Sequence, residues 1–173
     1  MILHKPEFEE LTYRRDLLAD PLTMSYNKGL NLGFSEYDNS TGCIVFPETT
    51  WKNWYNDWMN QEPLRYYAYL VVDNKFVGEV ALRYVESESA HMINIVIDSR
   101  YRGKGYGKKG LLALFEVAFN DLNITKVIDE FPVSRLESKN LFTSLGFDQV
   151  IENDLLIFSI TKEKYKSLGR FRM

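Results

Sequence analysis

Cys43 is the only cysteine in 173 residues, and this scarcity already narrows the field. A single thiol builds neither an internal disulfide framework nor a thiolate metal cluster. Cys43 is expected to sit as a small apolar side chain. Histidine is almost as rare. His4 and His91 alone make neither a histidine metal cluster nor a Ser-His-Asp set, so no metal is expected. No apolar run approaches the roughly 18 residues of a membrane helix. The start, Met1-Ile2-Leu3-His4-Lys5-Pro6, lacks the apolar core of a signal peptide. A cytoplasmic protein with no membrane partner is the default expectation. Excess positive charge is missing too: the formal charge is −3, the wrong sign for a nucleic-acid partner.

What is present suits one globular domain. Apolar residues make up 45% and aromatics 14% of the chain, enough for a sizeable core without staples. A short strand at Ile2-Leu3 is followed by a helix over residues 7–19, with Phe8, Leu11 and Leu18 on one face and Pro21 stopping it. Residues 22–50 carry no sustained period and read as loop. Thr50 then reads as the N-cap of a helix in which Trp51, Trp54, Tyr55 and Trp58 recur at i, i+3, i+4 and i+7. Residues 66–72 and 76–84 are β-rich runs joined by a tight turn at Asp73-Asn74-Lys75, and Met92 to Ile97 is apolar enough for a central strand. A helix striped with Leu111, Leu114, Phe115, Ala118 and Phe119 comes next, then a short strand over 125–128. Residues 92–128 thus read as one right-handed βαβ unit. Ser134 and Glu137 suggest a capping box for a second helix ended by Gly146. A hairpin around Asn153-Asp154 closes the sheet, and the tail after Lys162 is expected to fray. The order predicts an α+β fold: a mixed, mostly antiparallel sheet flanked by helices, with a central βαβ unit.

The chemistry gathers between Asp98 and Leu111. Glycines 103, 105, 107 and 110 alternate there with Arg100, Arg102, Lys104, Lys108 and Lys109, after a strand and at the opening of a helix. Glycines let backbone approach a ligand and aim successive N–H groups at it, and a helix N-terminus adds positive potential. Phosphate is the natural occupant. A bland alternative is a solvated basic loop. A Walker loop fails, because Leu111 and Leu112 stand where its Lys and Ser/Thr belong. Gly105-Tyr106-Gly107-Lys108-Lys109-Gly110 does satisfy the dinucleotide pattern G-x-G-x-x-G, with Asp129 or Glu130 about twenty residues on. Against it, five residues separate Ile97 from Gly103, the preceding strands are hairpin-linked, and only 63 residues follow Gly110.

A third reading fits better. Arg102-Gly103-Lys104-Gly105-Tyr106-Gly107, preceded by an apolar strand and Asp98, resembles the Gln/Arg-x-x-Gly-x-Gly/Ala signature of the GNAT family of N-acetyltransferases. Leu141-Phe142-Thr143-Ser144-Leu145-Gly146-Phe147 is similar to a second family segment, L-Y-x-x-L-G-F. The resemblance implies a single domain with a helical, aromatic acceptor-side region (1–65), a sheet and acetyl-CoA-binding core (66–161) and a tail (162–173). It also implies acetyl-CoA as donor co-substrate and an amine as acceptor, and it is compatible with a homodimer. Main-chain N–H groups of Arg102, Gly103, Lys104, Gly105, Tyr106, Gly107 and Lys108 would hold the pyrophosphate. Ile95, Val96 and Ile97 would pair with the pantetheine arm and polarise the thioester.

Alignment on Gly146-Phe147 puts Arg135, Ser138 and Phe142 where the family often has Asn, a small residue and Tyr on the cofactor side. Arg135 brings a cation, and Phe142 lacks the phenol that commonly protonates the departing thiolate. The general base is open among Glu79, His91, Asp129 and Glu130, with Glu79 and Glu130 preferred as catalytic residues. Eleven aromatics between Tyr26 and Tyr69 pack a core for the most part, and a few of them could line an acceptor pocket.

Overall fold

A computed structural model describes residues 1–169. Seven strands form one sheet in the order β1-β2-β3-β4-β5-β7-β6. They are β1 (Ile2–His4), β2 (Arg65–Val72), β3 (Lys75–Val85), β4 (Ala90–Ile97), β5 (Lys126–Pro132), β6 (Asp148–Glu152) and β7 (Leu155–Thr161). Asp73 and Asn74 both take left-handed backbone, φ 49° and 57°, the geometry that matches a two-residue turn to strand twist. Register then decides which face each side chain meets. Tyr69 stands opposite Glu79, Glu79 opposite Val96, and Ala81 opposite Asn94. Val80, Leu82 and Ile93 point the other way, into the main core.

Helices cover both faces. On one side α4 (Tyr106–Glu116) presents Leu111, Leu114 and Phe115 to the core, continued by Ala118 and Phe119 in a π-helical segment over Val117–Asp121. The predicted stripe is therefore buried in full. On the other side lie α1 (Leu11–Ala19) and α3 (Glu48–Trp58), packed on Tyr67, Tyr69 and Val96.

Five local expectations need correction. α3 starts after Pro47, and Thr50 lies inside it with its hydroxyl donating to the Pro47 carbonyl at 2.8 Å. β5 runs to Pro132 because it pairs with β7 along its whole length. The Val133 N–H still bonds Asp154 at 3.1 Å; α5 (Leu136–Ser144) accordingly starts after Arg135, and the Ser134–Glu137 capping box does not form. Residues 22–50 are not all loop: Pro21–Met24 form α2, capped by Asp20, followed by a 3₁₀ turn over Ser25–Asn27. The tail does not fray where it is described. α6 (Lys162–Ser167) buries Tyr165 against Phe115 and Phe119, while residues 170–173 lie outside the described residues.

Candidate active site

β4 and β5 are parallel neighbours, yet they pair only at His91–Val127 and Met92–Ile128. Each then follows its antiparallel partner, β4 along β3 and β5 along β7. The two strands diverge, and the edge of β4 from Ile93 to Ile97 faces the gap with no strand beside it. Unpaired backbone N–H and C=O groups along an edge invite an extended ligand. A cavity of about 980 Å³ occupies this gap and reaches from the glycine turn to the faces of α1 and α3.

The turn is built from backbone. Gly103 and Gly105 have φ of 75° and 74°, and an added Cβ at either would meet nothing within 4 Å. This is open space in front of main chain that only glycine adopts without strain. Gly107 has ordinary backbone, and a Cβ there would touch Leu141 at 3.5 Å. Gly110 serves packing: a Cβ would stand 2.8 Å from Leu70. α4 begins at Tyr106, and its first intrahelical bond runs from Lys109 N to Gly105 O at 3.2 Å. The N–H groups of Tyr106, Gly107 and Lys108 are therefore first-turn donors with no intrahelical partner.

Two of the five basic side chains are engaged elsewhere. Arg100 forks onto buried Asp98, with Nη2 at 2.5 Å. Arg102 donates to the carbonyls of Ile97 (3.2 Å), Leu22 (3.1 Å) and Thr23. It fastens α2 to the turn, and Ser99 adds bonds to Thr23 Oγ1 (2.9 Å) and Asp20 (3.0 Å). Lys104, Lys108 and Lys109 stay exposed. The turn thus sets open first-turn N–H groups beside three exposed lysines, an arrangement that favours an anion.

A family model for the GNAT acetyltransferases matches residues 32–147, which takes in the turn, the divergent strands and the second motif. The chain belongs to the GNAT acetyltransferase family. It is therefore an acetyl-CoA-dependent N-acetyltransferase, and the donor co-substrate expected from the turn is the family's own. Solved structures agree on the fold. A spermidine N-acetyltransferase from Vibrio cholerae in complex with CoA and spermine superposes with a TM-score of 0.74 at 17% identity, over 95% of this chain and 97% of that one. A GNAT-family acetyltransferase from Bacillus anthracis gives 0.65 at 19% identity, over 93% and 94%. No curated protein matches this chain.

Within this GNAT enzyme the expected side chains fare unequally. Ile95, Val96, Ile97, Ser138 and Phe142 all reach the cavity wall. Phe142 is 2% exposed and packs on Phe131, Phe147 and Phe158 with centroids 4.9–5.5 Å away. Arg135 enters from the start of α5, stacks on Tyr26 at 5.0 Å and donates to Asn27 Oδ1 at 3.2 Å. Its Nε is buried without a partner.

The base candidates separate. Glu79 is 3% exposed, and both carboxylate oxygens are engaged, one by Arg14 and the other by the Tyr67 hydroxyl. Arg14 is roofed by aromatic rings, Trp54 at 4.7 Å and Tyr67 at 5.2 Å. Such a pair holds its charges against each other, and Glu79 is the counter-ion of a buried arginine. His91 bonds the Pro63 carbonyl at 2.8 Å, and burial pushes its pKa down. Glu130 is exposed at the cavity rim. Asp129 lies in the cavity wall, where desolvation pushes its carboxyl up to about 7, against the pull of the Glu130 N–H at 2.9 Å.

Sequence reasoning overlooked Arg14 and Asn27, and took Tyr26 only as one of eleven aromatics of which a few could line a pocket. Arg14 carried a signal, for it falls between Leu11 and Leu18 on the apolar face of α1. A charge there needs a buried partner. Nothing local marked Asn27.

Proposed function

We propose that this enzyme acetylates a primary amine by direct attack within a ternary complex. A single observation carries the reading: one cavity joins the glycine turn, the unpaired β4 edge and the Asp129 carboxyl. Backbone N–H groups from Gly103 to Lys108 hold the pyrophosphate, with Lys104 and Lys108 as flanking charges. The arm of the donor lies along Ile95-Val96-Ile97 as an added strand, and a β4 N–H polarises the thioester carbonyl. Preorganised donors of this kind are often worth about 3 kcal/mol each.

The acceptor arrives as an ammonium of pKa ~10 and must lose a proton before it attacks. Asp129 is the general base, because a carboxyl titrating at about 7 accepts a proton far more readily near neutrality than an ordinary aspartate does. Glu130 at the rim draws the cationic acceptor in. Arg14 and Glu79 neutralise each other and shape the chamber under α3, where half-buried Trp54 and Trp58 line the wall that accommodates the body of the amine.

The test is continuous thiol detection with acetyl-CoA and a panel of amines, including polyamines, aminoglycosides, peptide N-termini and lysine peptides. We expect at least one amine to release many equivalents of CoA per enzyme. Thermal stabilisation by acetyl-CoA with no turnover on any amine would instead favour an acyl-CoA-binding sensor, a reading that the absence of a phenol at Phe142 otherwise supports.

A further inference from the structure

The departing group in this reaction is a thiolate, and the side chain at 142 has no proton to offer it. The cavity holds a phenol from another part of the chain. Tyr26, in the 3₁₀ turn after α2, lines the gap opposite α5 and stacks against Arg135. The charges it senses are Glu79 on β3, Arg135 at the start of α5 and Arg102 in the turn. All three line the same cavity as Tyr26 and the β4 edge from Ile95 to Ile97. The other cavity phenols are occupied or remote. Tyr67 donates to Glu79, while Tyr101 and Tyr106 stand beside Lys104 and Lys109 at the phosphate end.

The backbone around Tyr26 is anchored on three sides. Arg102 and Ser99 fasten residues 20–23 to the cofactor turn. Gly42 packs so closely on Met24 that an added Cβ would fall 2.2 Å from its carbonyl oxygen. Asn27, 6% exposed, accepts from the Arg135 guanidinium on its side chain and from the Tyr37 hydroxyl on its carbonyl. A side chain that only filled space would not need such fixing relative to the donor site.

We propose that Tyr26 is the proton donor to the departing sulfur, supplied from the acceptor half of the chain in place of a phenol at 142. This rests on the acetyl-transfer reading above. Asp129 first takes one proton from the ammonium. The free amine then attacks the carbonyl carbon, and as the C–N bond forms the C–S bond breaks, leaving its electron pair on sulfur. The Tyr26 O–H proton passes to that sulfur. The phenol oxygen recovers a proton from the nitrogen, which carries one too many after attack. The products are the acetamide, the free thiol and a protonated Asp129. Burial pushes the phenol pKa up to about 12, while the Arg135 and Arg102 charges and the Asn27 side chain pull it down. A free phenolate is therefore disfavoured, and the two transfers are coupled.

The experiment compares wild type with Tyr26→Phe on the best amine of the panel, and measures kcat alongside acetyl-CoA affinity. We expect kcat to fall about 10²-fold with acetyl-CoA affinity within about threefold of wild type, the signature of an interaction made in the transition state. Adding Phe142→Tyr to that variant should recover part of the loss, because ring 142 borders the same cavity. A kcat within about threefold of wild type overturns the proposal. A fall in kcat and acetyl-CoA affinity together overturns it as well, since Tyr26 would then be scaffold. Wild-type protein that releases no CoA with any amine defeats the acetyl-transfer reading itself, whereas turnover indifferent to Tyr26→Phe defeats only this inference.

Discussion

The two ends of the proposed site are made of different material. The proposed donor end is main chain: two left-handed glycines, the first turn of α4 and an unpaired stretch of β4. The proposed acceptor end is side chain, with Arg14 on Glu79, a pair separated by 65 residues. A backbone site depends on conformation and tolerates most changes of neighbouring side chains. A side-chain site depends on partners, and losing one strands the other. Substitutions at the two ends should therefore fail in different ways.

The largest effect is expected where a partner is stranded. Glu79→Gln leaves the Arg14 guanidinium buried among rings without a counter-charge, and breaking a buried pair in this way costs about 3–5 kcal/mol. Urea unfolding should show the loss. An unchanged midpoint would mean that Glu79 is not structural, and would return it to the list of bases.

Asp129→Asn should act on rate. We expect kcat at pH 7 to fall about 10²-fold or more, with the defect shrinking at high pH as free amine becomes abundant. Wild-type kcat/KM should rise as pH climbs through about 7, where Asp129 ionises. Stability should move in the opposite sense. Folded Asp129 keeps its proton to about pH 7, whereas in the unfolded chain an ordinary aspartate releases it near 4. The folded state binds more protons between those values, so this residue lowers stability as pH rises through the window. In thermal melts the variant should therefore gain on wild type between pH 4 and pH 8. A variant slow at pH 7 without that gain would place the base elsewhere, with Glu130 next to be tested.

At the donor end, Gly105→Val should weaken acetyl-CoA by at least tenfold, about 1.4 kcal/mol, while the fold survives. Open space lies in front of Gly105, so the penalty comes from φ of +74° and from obstruction of the ligand. Calorimetry on the folded variant measures it, and unchanged affinity would move the phosphate site. The smallest effect belongs to Phe142→Tyr in otherwise wild-type protein. With Tyr26 in place, kcat should change by less than about tenfold. A hundredfold gain would show that the native chain lacks an acid and would favour the sensor reading.

Most of the sheet could be read along the chain because its signals are local. Strand alternation, the Asp73-Asn74 turn and the α4 stripe each lie within a dozen residues and need no distant partner. So does the glycine turn, since Arg102 to Lys108 hold glycines, a helix start and cations in one continuous segment. The errors fall where a distant contact decides. β5 extends to Pro132 because β7 pairs with it, and α6 orders because Tyr165 finds a place in the core.

The sequence by itself determined the fold class and the family, because each is written in neighbouring residues whose backbone preferences carry the information. Only the tertiary structure decided what the ionisable and phenolic side chains do. Glu79 became a counter-ion by meeting Arg14, and the Asp129 carboxyl rose to about 7 by losing water in the cavity wall. Tyr26 reached the cavity wall against Arg135, which Asn27 holds from the next position. A side chain's pKa and reach depend on desolvation and on charges within a few ångströms. Those neighbours come from segments that only folding brings together.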